Sequence, residues 1–593
     1  MKKKGIIALL CCVLFAVAAP VGACGKKNDG GGNETVATGE KPLPHYDQLT
    51  EGQEYNRNLF YVNNLSTYAA DPSIIYVDDG AEKGYFYMYA TSDEIGASGY
   101  QAWRSKDLTN WECTGVAFTP DRDSWGRQNF WAPEVMYYRS PAQVEANEPG
   151  KYYMVYNAWK ISDNYRHSIG LAVSDSPKGP FVQYTGTNSD GRTLTISDAF
   201  VETKLFDAQS PLYNAPLIDA SLFLDDDGKL YLYFVYDIQF GATSSSIWGM
   251  PLKDIFTPDY SAAVQLTAYR KVTVDGAADG INELDKTNEG PVVLKHNGKY
   301  YLTFSTSQYF RFAYSSAQAI GDKPLGPFTK VALEKGGNFI TALSAPGKDD
   351  IYEHTAGTGH HTFARVGDEV YAIYHAFANR KTLGNGEHRA IAVDKVSFVN
   401  NGEQEIIYCN GPSYSIQPLP AKVSGYANVA GKASVTATNA AEEGATVYLT
   451  TGTYKNHDFD YIKEFKSNGD TVITMTFGKA YDVKAIMIYN AFNYDEAFSK
   501  IDRIALTTEV NKDGASFKGD AVITDLGFDK DWYIYIDRND PTDRFMRPGG
   551  SAIAEFDEIP VTKIVITINK SSKFTTDNDT IAVSDIVVLA KEA

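Results

Sequence analysis

Three carboxylates sit at matching points of a repeated phrase in this chain: Asp71, Asp219 and Glu289. Carboxyl groups far apart in sequence but alike in local context can meet in a fold. There they can divide into an ionised base that activates water and a protonated acid that serves a leaving group. Each opens a short polar motif that is followed by an apolar strand, a turn and a tyrosine-rich strand. The five copies begin at Asp71-Pro-Ser-Ile-Ile-Tyr, Trp131-Ala-Pro-Glu-Val-Met-Tyr, Ile218-Asp-Ala-Ser-Leu-Phe, Asn288-Glu-Gly-Pro-Val-Val and Gly359-His-His-Thr-Phe-Ala. The openers are taken to occupy equivalent points, so a ring of such units would bring them to one mouth.

The elements that must position these residues are hairpins. Asp227-Gly228 and Asn297-Gly298 are strong hairpin turn signals. A third strand follows each hairpin, as in Tyr100-Gln-Ala-Trp-Arg-Ser and Ile169-Gly-Leu-Ala-Val-Ser. No stretch of helical period competes. Repeated hairpins that cannot bury both faces alone imply radial packing. The expected fold is all-β, a five-bladed β-propeller over residues 46–420. From residue 421 to 593 a new alternation begins. Its strands, such as Thr471-Val-Ile-Thr-Met-Thr-Phe and Val561-Thr-Lys-Ile-Val-Ile, predict a β-sandwich of jelly-roll type. This region is expected to be a separate domain, dispensable for chemistry on small substrates.

The 593 residues carry 55 basic and 74 acidic side chains, a net charge of −19. No basic block follows the first residues, which argues against nucleic acid as a partner. Met1-Lys-Lys-Lys and the apolar run from Ile6 to Ala19 read as a leader, too short for a membrane span. Val21-Gly-Ala-Cys24 resembles a bacterial lipobox, so residues 1–23 are expected to be a lipoprotein signal peptide. Lipid on Cys24 would anchor an exported protein at the membrane or cell surface. Residues 24–45 are polar and glycine-rich, a tether with a reach of roughly 25 Å. Cys113 and Cys409 are too few for a disulfide scaffold.

Six motifs in order resemble glycoside hydrolase family 43. They are Ala-Asp71-Pro-Ser-Ile-Ile, Trp131-Ala-Pro-Glu-Val, Ile218-Asp219-Ala-Ser, Asn-Glu289-Gly-Pro, Gly-Thr-Gly-His360-His-Thr-Phe and Arg389-Ala-Ile-Ala-Val-Asp. The C-terminal strand order resembles the discoidin or galactose-binding-like jelly roll, whose members often hold glycans. The first resemblance implies an inverting glycosidase acting on arabinose- or xylose-containing glycans, with α-L-arabinofuranosidase or arabinanase ahead of β-xylosidase. A non-catalytic surface glycan-binding lipoprotein is the alternative from another class.

It also implies roles. Asp71 would be the general base, Glu289 the general acid, and Asp219 would orient Glu289 and raise its pKa by like-charge repulsion. Trp131 would line the sugar site. Arg389 would bind substrate or pair with Asp219. His360, with His361 as the adjacent alternative, would face the propeller axis and a bound calcium. Two other patterns carry no chemistry. Asp225-Asp-Asp-Gly228 lacks calcium-loop spacing and reads as a hairpin turn. Glu112-Cys113 lacks the other motifs of the invertase-like propellers.

Overall fold

The computed structural model describes residues 45–46, 55–63, 65–91, 99–237, 245–267, 287–310, 314–341, 356–377, 389–413, 415–512, 515–527, 533–535, 544–546 and 549–591. The expected leader, Cys24 and nearly all of the expected tether lie outside the described residues.

Five antiparallel sheets follow one another along the chain. Blade one is β1 (Ala70–Tyr76), β2 (Phe86–Thr91), β3 (Tyr100–Ser105) and β4 (Glu112–Phe118). Blade two is β5 (Trp131–Tyr138), β6 (Lys151–Lys160), β7 (Arg166–Ser174) and β8 (Val182–Gln183). Blade three is β9 (Leu217–Leu224), β10 (Leu230–Tyr236), β11 (Ser246–Asp254) and β12 (Thr257–Pro258). Blade four is β13 (Asn288–His296), β14 (Lys299–Thr306), β15 (Ser315–Gly321) and β16 (Phe328–Lys330). Blade five is β17 (Ala356–Val366), β18 (Glu369–Phe377), β19 (Arg389–Asn400) and β20 (Glu405–Cys409). The architecture is a five-bladed propeller.

Each neighbouring pair of blades encloses its own apolar cluster. Blades two and three share Val155, Leu171, Leu232 and Phe234, whereas blades three and four share Tyr233, Val235, Leu302 and Phe304. One strand, β10, therefore buries both faces, which is why it reads Leu-Tyr-Leu-Tyr-Phe-Val-Tyr with no polar alternation. The tyrosine-rich strands of the repeat are the blade middles, packed on both sides. The ring closes between blades five and one through Ile74, Met88, Ile373 and Val393. Asn63 clamps the same seam, donating to Val393 O at 3.0 Å and accepting from Val393 N at 2.8 Å. Asp225 to Lys229 forms the expected hairpin turn, and its acid pairs with Lys295 instead of a metal.

The C-terminal region is a nine-stranded antiparallel sheet. Its main strands are β21 (Thr471–Asn490), β22 (Lys500–Lys512), β23 (Ala515–Gly527), β24 (Ser551–Ile568) and β25 (Thr580–Ala590), in the order β25-β21-β24-β22-β23. The two longest strands, β21 and β24, shift register midway and bend the sheet around one core of Ile473, Ile486, Ile504, Ile564 and Val583. His45–Tyr46 adds a short strand against β24, so this piece of chain joins the C-terminal sheet ahead of the propeller.

The opposite face of that sheet is not solvent. Ala485, Met487, Tyr489, Ile553, Val587 and Leu589 form one buried cluster with Leu59, Phe60 and Ile416 of the propeller. Asn456 Nδ2 donates to Cys409 O and Gly411 O at 2.9 and 2.7 Å, and Tyr408 Oη donates to Tyr454 O at 2.8 Å. The C-terminal region is thus welded to the base of blade five, which the expectation of a dispensable module did not foresee. A strand pattern shows that a sheet exists; it does not show what covers its second face.

Candidate active site

The same irregularity recurs in every blade. The inner strand shifts register against its neighbour between Ala70 and Ser73, Trp131 and Glu134, Ile218 and Ser221, Glu289 and Val292, and Gly359 and Thr362. Each shift is a β-bulge whose first residue has left-handed backbone: Asp71 (φ 50°), Ala132 (φ 40°), Asp219 (φ 52°), Gly290 (φ 56°) and His360 (φ 47°). The bulge turns two successive side chains out of the strand's alternation. Asp71, Asp219 and His360 therefore share one position. Glu289 does not: it stands one residue earlier, with Ala70, Trp131, Ile218 and Gly359. The expected equivalence of the three carboxylates is corrected to this extent. The column of Pro72, Pro133 and Pro291 carried the right alignment.

A ring of hydrogen bonds holds the bulges. Each left-handed residue donates its N–H to a side chain of the preceding blade. Asp71 N donates to His375 Nδ1 at 3.2 Å, Ala132 N to Thr91 Oγ1 at 2.9 Å, and Asp219 N to Asn157 Oδ1 at 3.1 Å. His360 N donates to Ser305 Oγ at 2.7 Å. His375, Thr91, Asn157 and Ser305 all pair across from the residue before the bulge. In blade three that position is Val235, which cannot accept. There Asp219 itself fills the gap, its Oδ2 accepting from Gly290 N at 3.0 Å. Asp219 thus holds the backbone adjoining Glu289, which supports the positioning half of its expected role.

The mouth is a cavity of about 300 Å³ whose lining includes Asp71, Asp219, Glu289, Trp131, His360 and Arg389. All six residues expected at the site meet there. Arg389 departs from expectation in its partner, since its Nη1 donates to Asp71 Oδ1 at 2.9 Å. Its guanidinium also lies 5.0 Å from the Tyr309 ring centre. Trp131 stacks on the buried ring of His167. The two adjacent histidines point differently. His360 Nδ1 lies 3.3 Å from Asp71 Oδ1, whereas the His361 ring turns to Thr303 Oγ1 at 2.7 Å.

Burial acts on all three carboxyls, but their neighbours separate them. Burial would raise the Asp71 pKa; Arg389, then His360 and His375, hold it well below the usual range. Thr91 Oγ1 also donates to Asp71 Oδ2 at 2.5 Å. Glu289 is pushed up to about 8 by burial, against the Tyr314 hydroxyl and with Asp237 and Asp71 as negative neighbours. Asp219 is raised to about 7, by burial first and then by Glu289 and Asp71, with His360 opposing. Asp219 and Glu289 are thus both raised, and the like charges of Glu289 and Asp71 add to burial at Asp219. One carboxylate kept ionised beside one kept protonated is the division that acid–base hydrolysis needs.

Three residues were missed. Asp237 follows β10 and lines the mouth. His375 and Tyr314 lie in strand contexts that read as core. Tyr314 Oη donates to Glu289 Oε1 at 2.7 Å, and its ring stacks on His375 at 5.5 Å. Tyr314 favours ionised Glu289, so Tyr314→Phe is expected to move the alkaline limb of the kcat/KM profile to higher pH. In the wild type that limb should fall as pH rises through about 8, with activity persisting into the acidic range where Asp71 stays ionised. A limb unmoved by Tyr314→Phe, in parallel pH titrations, would break this link.

A five-bladed ring with segregated carboxyls at its mouth is the architecture of a propeller glycosidase. The chain belongs to Glycosyl hydrolases family 43, whose sequence model matches residues 64–403. It is therefore an inverting glycoside hydrolase. It is 24% identical over 355 residues to a β-D-galactofuranosidase of Aspergillus niger, covering 58% of this chain and 87% of that one. A β-xylosidase of Xylanibacter ruminicola is 27% identical over 206 residues, 30% of this chain and 52% of the relative. An extracellular endo-α-(1→5)-L-arabinanase of Thermotoga petrophila is 25% identical over 276 residues, 44% and 50% of the two chains. Among solved structures, a thermostable family-43 glycoside hydrolase matches 61% of this chain and 99% of its own at 28% identity, with a TM-score of 0.45.

Proposed function

We propose that this protein hydrolyses α-L-arabinofuranosyl linkages of plant-type glycans, with Asp71 as general base and Glu289 as general acid. The observation that carries the roles is the company of the two carboxyls in one cavity: Arg389 and His360 stand against Asp71, whereas Glu289 is buried beside the Tyr314 hydroxyl. A water between Asp71 and the anomeric carbon gives its proton to Asp71 as its oxygen bonds to that carbon. The glycosidic bond breaks on the other face, and Glu289 delivers its proton to the departing oxygen. Asp219 holds Gly290 and so the acid's backbone. Trp131 offers an apolar face to the sugar, and Arg389 keeps the base ionised while bordering the substrate.

The choice of sugar rests on the relatives. An endo-arabinanase, a probable arabinan endo-1,5-α-L-arabinosidase of Aspergillus fumigatus and a xylosidase/arabinosidase of Bacteroides ovatus stand among them. The β-xylosidase supports xylosides as the second reading. Aryl α-L-arabinofuranoside, aryl β-D-xyloside and debranched arabinan should separate the two. Turnover of the xyloside alone would reverse the preference. Proton NMR of a fresh digest should show inverted anomeric configuration.

Export and anchoring through Cys24 rest on the leader sequence. Incorporation of labelled palmitate that Cys24→Ala abolishes would support them. Calcium beside His360 is a separate proposal. Three residues of every bulge line an axial cavity of about 20 Å³, room for roughly one water-sized occupant. The Glu134 carboxyl and Ser221 Oγ, the latter without a partner among the described residues, offer the oxygen donors calcium takes. Among the described residues no three metal-ligating side chains converge. A Tm raised by calcium after chelation would support binding.

A further inference from the structure

Four aromatic rings run outward from the pocket across blade two. Trp131 lines the pocket and stacks on His167, with ring centres 4.2 Å apart and planes 28° from parallel. Trp159 meets His167 edge-on at 6.1 Å, and Tyr165 meets Trp159 edge-on at 5.8 Å. The strand register makes this row. Trp131 pairs with Asn157 and Trp159 with His167, and Asn157 and Trp159 are two residues apart on β6. Trp131, Trp159 and His167 therefore face the same side of the blade. His167 is fully buried, and burial pushes it down to about 3, so it serves as a neutral flat support. Asn157 fixes its ring by donating Nδ2–H to Nδ1 at 2.8 Å.

The outer end of the row is costly to maintain. Tyr165 is 51% exposed at the tip of the β6–β7 hairpin. It has φ 59° and follows Asn164 at φ 54°. A bulky residue in left-handed backbone is strained. Tyr165 thus presents its ring to solvent at the outer end of the row.

We propose that Tyr165, Trp159 and Trp131 form a stacking surface for the sugar units of a glycan chain that extends beyond the pocket. The argument for that occupant is continuity: the row starts in the wall of the catalytic cavity and is uncharged, and sugar rings present C–H faces that pack on aromatic rings. This rests on the pocket being the site that cleaves pentosides, and it deepens that reading by assigning where the rest of the chain lies.

The test compares wild type, Tyr165→Ala and Tyr165→Phe on an aryl glycoside and on a disaccharide-to-pentasaccharide ladder of the same sugar. Tyr165→Ala should lower kcat/KM on the longer oligosaccharides about tenfold, the equivalent of about 1.4 kcal/mol, mainly through KM. It should leave the aryl glycoside within about twofold, and Tyr165→Phe should match wild type on both. Unchanged oligosaccharide kinetics in Tyr165→Ala, or equal losses on both substrates, would overturn the stacking surface. Failure of the pentoside reading looks different: the wild type itself would not turn over aryl pentosides. The ladder is then built from the sugar it does cleave, and the same comparison decides.

Discussion

Asp71→Asn and Glu289→Gln should each lower turnover on a natural glycoside by a factor of at least about a hundred while leaving the fold intact. Both substitutions conserve shape. Asp71→Asn keeps an acceptor for Thr91 but loses the charge that holds Arg389 and the proton-accepting power that the attacking water needs. Glu289→Gln keeps an oxygen for Tyr314 but cannot donate a proton to the departing oxygen. The two should part on leaving group. Glu289→Gln should recover much of its rate on a dinitrophenyl glycoside, whose leaving group needs no acid, whereas Asp71→Asn should not. Steady-state kinetics on both substrates, with circular dichroism to check folding, measure this. Near wild-type turnover of either variant on the natural glycoside would remove that residue from the mechanism.

Ending the chain after Pro420 should abolish activity on small and polymeric substrates alike, by loss of fold. Removal of the C-terminal sheet uncovers Leu59, Phe60 and Ile416, which it buries. At about 1.5–3 kcal/mol for each large apolar side chain, the loss is several kcal/mol against a typical total of about 5–15. The carbonyls of Cys409 and Gly411 also lose their Asn456 donor. Soluble yield and Tm of the shortened chain test this. A soluble chain with the wild-type Tm and full aryl-glycoside turnover would show that the propeller stands alone.

Hairpin spacing, turn residues and aromatic strands were enough to count the blades, because a strand buried on both faces and its tight turns are local properties of sequence. The expected residues that meet at the mouth were also legible as a set, since all but Arg389 lie in opener motifs. Their arrangement was not. The offset between Glu289 and Asp71 is written in the proline column, but the bulge that turns successive side chains out of alternation is a relation between two strands that one strand's sequence does not contain. His375 meets Asp71 where blade five closes on blade one, and Tyr314 meets Glu289 within blade four, 25 positions away along the chain. Arg389 reaches Asp71 across the seam where the last blade meets the first, a contact of residues 318 positions apart. The protonation of the acid was decided there as well. Its pKa depends on burial and on Asp237, Asp71 and Tyr314 converging from separate blades. Sequence by itself determined which residues could do the chemistry; closure of the ring decided which carboxyl is held ionised, because charge and solvation are properties of surroundings that only the tertiary structure assembles.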